Sequence, residues 1–153
     1  MKTEPDTFSF DDLVALPQHT DGWDGIRNYQ ARNFMRDDFK KGDLVFIYHS
    51  NTDTPAIVGI AEVVREAYLD DSALDPKQKY YDPKSAAQGE SRWVKVDVKA
   101  KKRFKKPMSL KEIKEIPELS SMLLVKRGMR LSIQPVEKKE WDLLLKLGSP
   151  GPL

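Results

Sequence analysis

Two apolar runs dominate the first half of the chain. The segments DLVFIYH (43–49) and AIVGIAEVV (56–64) are rich in β-branched and aromatic residues, and the polar, proline-containing loop SNTDTP joins them. Short apolar runs bounded by turn residues are typical of strands buried on both faces. We therefore predict two central strands of a sheet. Gly59 and Ala61 offer little side chain to pack, so they predict a close backbone approach or a bulge.

Alternating residues predict a third strand over WVKVDVKAKKRF (93–104). Its valines point to one face and its polar residues to the other, as a half-exposed strand requires: Val94, Val96 and Val98 against Trp93, Lys95 and Asp97. The segment RLSIQPV (130–136) predicts a further short strand. Between the second and third strands, residues 65–91 predict a long loop that contains three tyrosines.

The remaining segments have helical patterns. A short helix is predicted within SFDDLVALP (9–17), where Ser9 caps the start and Pro17 stops the helix. A second is predicted in NYQARNFMRDDF (28–39), and short pieces follow in 109–128. The last helix, in 137–148, ends at Gly148.

Strands interleaved with a few short helices favour the α+β class and a small mixed or barrel-like domain. A chain of 153 residues can bury one sizeable core. We predict a single domain over residues 1–148 and a flexible C-terminal tail over 149–153.

Composition excludes several function classes. The chain has no cysteine, so it has no disulfide, no cysteine-based zinc site and no thiol nucleophile. It also lacks an apolar run of about 20 residues and a signal peptide, which predicts a cytoplasmic protein with no membrane contact. The net charge is only +2, but residues 95–106 concentrate seven lysines and arginines against one acid.

No catalytic constellation emerges from the residues. The chain has no glycine-rich phosphate loop and no paired metal-binding histidines, and its two histidines are His19 and His49. His49 stands beside Ser50 at a predicted strand end, but adjacent strand residues point to opposite faces and make a poor nucleophile and base pair. We predict no catalytic residue, no metal and no cofactor.

The stretch GWDGIRNYQARN (22–33) brings together a tryptophan, two arginines and two asparagines. One interpretation is structural, with Trp23 in the core and the arginines on a solvated helix face. The other is functional. Trp23 and the loop 65–91, which we call the tyrosine loop, form aromatic walls, amides and hydroxyls lie between these walls, and basic residues bind phosphate. The residues alone leave both interpretations open.

Several segments in the same order resemble the EVE domain family. They are KTEP at the start, WDGIRNYQARNFMR, KGDLVFIYHSN, IVGIAEVV, KYYDPKS, RWVKVDV and RLSIQPV, and the likeness runs from Met1 to about Gly148. The resemblance implies a PUA-like bent β-barrel of about five to six strands flanked by short helices, related to YTH and ASCH domains. It also implies a non-catalytic module whose pocket receives a modified base, with 5-methylcytosine or 5-hydroxymethylcytosine as leading candidates.

The resemblance also implies roles for individual residues. Trp23 would be the first aromatic wall, and Asn28 and Ser50 would read the base edge. The full predicted pocket is Trp23, Asn28, Tyr48, Ser50, Tyr80, Tyr81 and Glu4. The predicted phosphate contacts are Lys2, Arg27, Arg32, Lys101, Lys102 and Arg103.

The expected partner is therefore DNA or RNA that carries a modified base, bound by a protein that we expect to be a monomer. Two alternatives remain open. One is an ASCH-like nucleotide-processing enzyme with His49 or Glu4 as acid or base. The other is an RNA-binding module that ignores base modification.

Overall fold

A computed structural model describes all 153 residues, Met1–Leu153. The strands are β1 (Lys2–Thr3), β2 (Thr20–Trp23), β3 (Leu44–His49), β4 (Ala56–Leu69), β5 (Val94–Ser109) and β6 (Pro150–Gly151). The α-helices are α1 (Phe10–Ala15), α2 (Tyr29–Asn33), α3 (Pro83–Gln88), α4 (Leu110–Lys114) and α5 (Lys138–Gly148). A π-helical turn, Phe34–Asp38, continues α2 directly, and short 3-10 turns lie in the connections.

All six strands belong to one sheet in the order β1-β3-β4-β5-β2, with β6 also paired to β5. The pairing is parallel between β1 and β3 and antiparallel elsewhere. The two longest strands, β4 with 14 residues and β5 with 16, change register several times along their length. Such bulges bend a sheet and increase its twist. The predicted α+β fold with a bent sheet and short flanking helices is confirmed.

Gly59 lies at one of these register changes, and α1 packs directly over it. A Cβ atom at Gly59 would come within 2.5 Å of the Phe10 ring. The close approach predicted for Gly59 is therefore confirmed. The helix forms where expected, because the Ser9 hydroxyl accepts the Asp12 N–H at 3.0 Å and the Asp12 carboxylate accepts the Ser9 N–H at 2.7 Å.

Two groups of buried side chains fill the interior. The larger has 14 members and includes Trp23, Val96 and Val98. The smaller has 10 members, among them Phe46, against whose ring Trp141 stacks with ring centroids 3.8 Å apart. The sheet is thus packed on both faces, in agreement with its continuous apolar strands.

Three predicted segments differ from the structure. The predicted strand 130–136 is wrong: this segment is coil with a bend at Ser132 and Ile133, and Pro135 has no N–H for a sheet ladder. The predicted loop 65–91 begins as strand, because β4 continues to Leu69 against the start of β5. Within the expected tail, Pro150–Gly151 pairs with β5 as β6.

Candidate ligand-binding cavity

A cavity of about 590 Å³ lies between the two end strands of the sheet. Residues of β1 and β2, which stand at opposite ends of the strand order, both line it. The bent sheet therefore brings its edges to face each other across an open space. The loop after β2, Ser50, the tyrosine loop and the coil around Arg130 complete the walls.

Trp23 forms one wall and also belongs to the core. It is the last residue of β2, lies opposite the fully buried Val96 and is only 7% exposed. The Phe8 ring contacts it edge-on, with ring centroids 6.0 Å apart and planes at 80°. Most of the Trp23 side chain therefore packs in the core, and the remainder lines the cavity.

Tyr80 forms a second aromatic wall, and its position is fixed from behind. Arg27 donates to the Tyr80 carbonyl oxygen from Nε at 2.9 Å and from Nη2 at 2.7 Å. The Tyr80 ring packs against Gly25, where a Cβ atom would lie 2.5 Å from the ring. Gly25 also has φ +77°, which glycine adopts at little cost.

Asp70 holds these parts together from a fully buried position. Its carboxylate accepts hydrogen bonds from Arg27 Nη1 at 2.8 Å and from the Gly25 N–H at 3.1 Å. It also accepts the Ser72 N–H and hydroxyl. Burial alone would raise the pKa of Asp70, but the hydrogen bonds from Ser72, Arg27 and Gly25 outweigh it and lower that pKa. The network keeps a charged pair behind the cavity wall.

Three carboxylates line the cavity: Glu4, Asp21 and Asp24. Burial is the main cause that raises the pKa of both Asp21 and Asp24, and neighbouring carboxylates raise each further. Neither of these two aspartates makes an ion pair. The cavity therefore offers free hydrogen-bond acceptors next to its aromatic walls.

Three cations also border the cavity: Lys2, Lys79 and Arg130. None of them forms an ion pair. Lys79 lies with Nζ 5.4 Å from the Tyr80 ring centroid, and burial lowers the pKa of Lys2. Positive charge is thus available at the cavity for an anionic group.

The structure brings five of the residues predicted for the site to this cavity: Lys2, Glu4, Trp23, Ser50 and Tyr80. Three predicted pocket residues lie elsewhere. Asn28 caps α2, with Oδ1 accepting the Ala31 N–H at 3.0 Å. Tyr48 is 6% exposed within the smaller core, and Tyr81 is 36% exposed and does not line the cavity.

Most predicted phosphate contacts already have partners within the protein. Arg27 is held by Asp70 and Tyr80, and Arg32 Nη1 donates to the Arg92 carbonyl at 3.1 Å. Lys101 pairs with Glu62 at 3.1 Å, and Arg103 with Asp11 at 2.6 Å. Residues 101–103, which include Lys102, lie roughly 17 to 23 Å along β5 from the position opposite Trp23.

Sequence reasoning missed Asp21, Asp24, Lys79 and Arg130. Asp21 could have been predicted, because it lies two residues before the predicted site residue Trp23 and residues two apart on a strand share a face. Arg130 lies far along the chain from the other cavity residues and reaches them through tertiary folding alone.

The histidine chemistry considered for the enzyme alternative is absent from the cavity. His49 Nε2 accepts the Phe10 N–H at 3.0 Å, and burial lowers the pKa of His49, which favours the neutral ring. No group of three His, Asp or Glu side chains is placed to hold a metal ion. No helix has the length and apolar character that a membrane crossing requires.

The bent sheet and the cavity between its end strands define a small α+β domain with a candidate ligand-binding cavity. Comparison with known proteins gives the family. The EVE domain model matches residues 1–147. Thymocyte nuclear protein 1 of Danio rerio is 39% identical over 170 residues, covering 100% of this chain and 72% of the relative. The human protein of that name is 38% identical, covering 99% and 74%. The chain therefore belongs to the EVE domain family.

Solved structures agree with this assignment. A protein from Pseudomonas syringae is 41% identical, with a TM-score of 0.89 and 96% of each chain covered. The human THYN1 protein in complex with 5-methylcytosine-containing DNA is 38% identical, with a TM-score of 0.91, covering 99% of this chain and 97% of that one.

The predicted cytoplasmic location is wrong by this comparison, because the vertebrate relatives are named as nuclear proteins. The physical reason is that the interior of the cell is reducing in both cytosol and nucleus. The absence of cysteine therefore does not distinguish one compartment from the other.

Proposed function

We propose that this protein binds 5-methylcytosine in DNA as a non-catalytic module, with the modified base turned out of the helix into the cavity between β1 and β2. The observation that carries the proposal is the cavity with its Trp23 and Tyr80 walls. It occurs in a chain that matches, over 99% of its length, a human protein solved with 5-methylcytosine-containing DNA.

The cavity has a suitable size and composition for a base. Its volume of about 590 Å³ falls within the roughly 300 to 1,000 Å³ usual for small-molecule sites. Stacking a base on an aromatic side chain contributes roughly 1 to 3 kcal/mol. Turning a base out of a duplex costs a few kcal/mol, so the walls and the charge at the cavity must together offset that cost.

The unpaired cations Lys2, Lys79 and Arg130 supply that charge. A base that enters the cavity brings its own phosphates to the entrance, where these cations can contact them. The basic run at Lys101–Arg103 lies away from the cavity and is partly neutralised by acids. We therefore propose that Lys2, Lys79 and Arg130 hold the phosphates next to the bound nucleotide.

Two adjacent tyrosines provide a matched test. Tyr80 lines the cavity, whereas Tyr81 does not. Binding of wild type, Tyr80→Ala and Tyr81→Ala is measured on oligonucleotides that differ only in one central base: cytosine, 5-methylcytosine or 5-hydroxymethylcytosine. Each is presented as single-stranded DNA, duplex DNA and RNA.

We expect wild type to bind 5-methylcytosine DNA several-fold more tightly than cytosine DNA. Tyr80→Ala should weaken binding by roughly 5- to 160-fold, corresponding to about 1 to 3 kcal/mol of stacking. Tyr81→Ala should bind like wild type. Equal binding of all bases by wild type would overturn the proposal, and stronger binding to RNA would reassign the partner to an RNA that carries the base.

A further inference from the structure

Asp21 occupies a position where a strand normally carries an apolar residue. In the register between β2 and β5, Asp21 lies opposite Val98 and Trp23 lies opposite Val96. Both valines are completely buried. Opposite residues of an antiparallel pair project to the same face, and so do residues two apart on one strand. Asp21 therefore shares its face with Trp23, and both line the cavity.

The Asp21 carboxylate forms no ion pair. Burial is the main cause that raises the pKa of Asp21, and the charges of Asp24 and Asp97 raise it further, while the Gly22 N–H and the charge of Lys95 lower it in part. Asp21 is half-buried at the cavity. A carboxylate that loses part of its hydration without gaining an ion pair is unfavourable, so its presence in a cavity is a sign of a ligand contact.

We propose that Asp21 accepts a hydrogen bond from the exocyclic 4-amino group of the bound cytosine and so excludes thymine from the cavity. This inference rests on the proposed function and names the residue that sets its specificity. Trp23, beside Asp21 on the same strand, supplies a surface against the flat face of the base, and Asp21 contacts its edge.

The chemical problem is that 5-methylcytosine and thymine carry the same methyl group at carbon 5. They differ at carbon 4, where cytosine has an amino donor and thymine has a carbonyl acceptor. A pocket that recognises only the methyl group would bind both, and thymine is abundant in DNA. An ionised carboxylate accepts from the amino group and repels the carbonyl oxygen, so a single acceptor-only side chain separates the two bases.

The test varies two features of the base, the methyl group at carbon 5 and the amino or carbonyl group at carbon 4. It uses four DNA oligonucleotides with cytosine, 5-methylcytosine, uracil or thymine at one central position. Wild type is compared with Asp21→Asn, because the asparagine amide is nearly isosteric and can present either a donor or an acceptor. Asp24→Asn tests the other aspartate of the cavity as the competing acceptor, and Asp53→Asn, at an exposed aspartate outside the cavity, is the matched control. Thermal unfolding of each variant shows that the fold is kept.

We expect wild type to bind 5-methylcytosine at least tenfold more tightly than thymine. Asp21→Asn should reduce this ratio to below threefold, mainly through tighter binding of thymine, and Asp53→Asn should leave the ratio within twofold of wild type. A wild-type protein that prefers the methylated bases but binds thymine and 5-methylcytosine equally would overturn the role of Asp21 and leave the proposed function standing. The role also fails if Asp24→Asn, and not Asp21→Asn, removes the discrimination. Equal binding of all four bases would instead overturn the proposed function.

Discussion

Arg27 and the carbonyl oxygen of Tyr80 are joined by two hydrogen bonds, of 2.9 Å from Nε and 2.7 Å from Nη2, across 53 positions of sequence. The same guanidinium is paired with the buried Asp70. One arginine thus connects the segment after β2 to the tyrosine loop and positions an aromatic wall of the cavity. Its five donors in a fixed planar arrangement suit this role better than a lysine would.

Replacing Arg27 with methionine should therefore destabilise the protein. The substitution leaves the Asp70 carboxylate buried without its cation, and breaking such a pair costs about 3 kcal/mol. Urea unfolding measures the loss, and adding Asp70→Asn to Arg27→Met should restore part of the stability because the unpaired charge is removed.

The same variant separates positioning from phosphate binding. If Arg27 acts by holding Tyr80, Arg27→Met should weaken DNA binding while the dependence of affinity on salt stays as in wild type. If the slope of log affinity against log salt showed that about one counterion fewer is released on binding, Arg27 itself would contact phosphate.

Gly25→Ala should weaken DNA binding more than the backbone strain at this position alone would explain. Any L-residue at φ +77° is strained by roughly 1 kcal/mol, and the added methyl group would also displace the Tyr80 ring. Gly128 has a similar φ of +74° with no atom near its Cβ position, so Gly128→Ala is a matched control. We expect similar losses of backbone stability but weaker DNA binding only in Gly25→Ala. Equal binding by the two variants would show that the Tyr80 ring is free to move.

Local patterns predicted most of the elements but not the composition of the site. Ser9 predicted the start of α1 because a serine directly before a helical segment is a favoured N-cap. The coil at 130–136 was misassigned because an apolar alternation does not show whether a partner strand is available. Arg27 is charged and follows Trp23, so it indicated a phosphate contact. Only the fold shows that Asp70 and Tyr80 already occupy its donors, because those partners are more than 40 positions away.

Trp23→Ala should lower stability by about 3 to 5 kcal/mol, because the ring is almost entirely inside the larger core. A loss of binding in that variant would therefore not separate a cavity role from unfolding. Trp23→Phe keeps an aromatic surface and should cost less, and urea unfolding of both variants checks the difference. A cost below about 1 kcal/mol for Trp23→Ala would show that the ring is not part of the core.

Asp82, just after the two tyrosines, should contribute stability that depends on pH. Burial would raise its pKa, but hydrogen bonds from Ser85, Trp93 and Lys84 and the charge of Arg92 lower the pKa to about 2, from an ordinary 3.8. A depressed folded-state pKa means that the contribution is complete above about pH 4 and disappears as the pH falls through about 2. Asp82→Asn should be less stable than wild type at pH 7, and urea midpoints should converge towards pH 2. A difference that stays constant from pH 7 to pH 2 would contradict this assignment.

The charge at the cavity can be distinguished from the basic run by the dependence of affinity on salt. Each phosphate contact that is lost makes the slope of log affinity against log salt shallower by about 0.9 for duplex DNA. Lys79→Gln and Arg130→Gln, which remove unpaired cations at the cavity, should each weaken binding and make the slope shallower by up to that amount. Lys101→Gln and Lys102→Gln change the net charge equally but lie away from the cavity, and they should change the slope much less. If the second pair has the larger effect, the DNA backbone follows the outer part of β5, and the phosphate contacts belong to the basic run that the sequence first indicated.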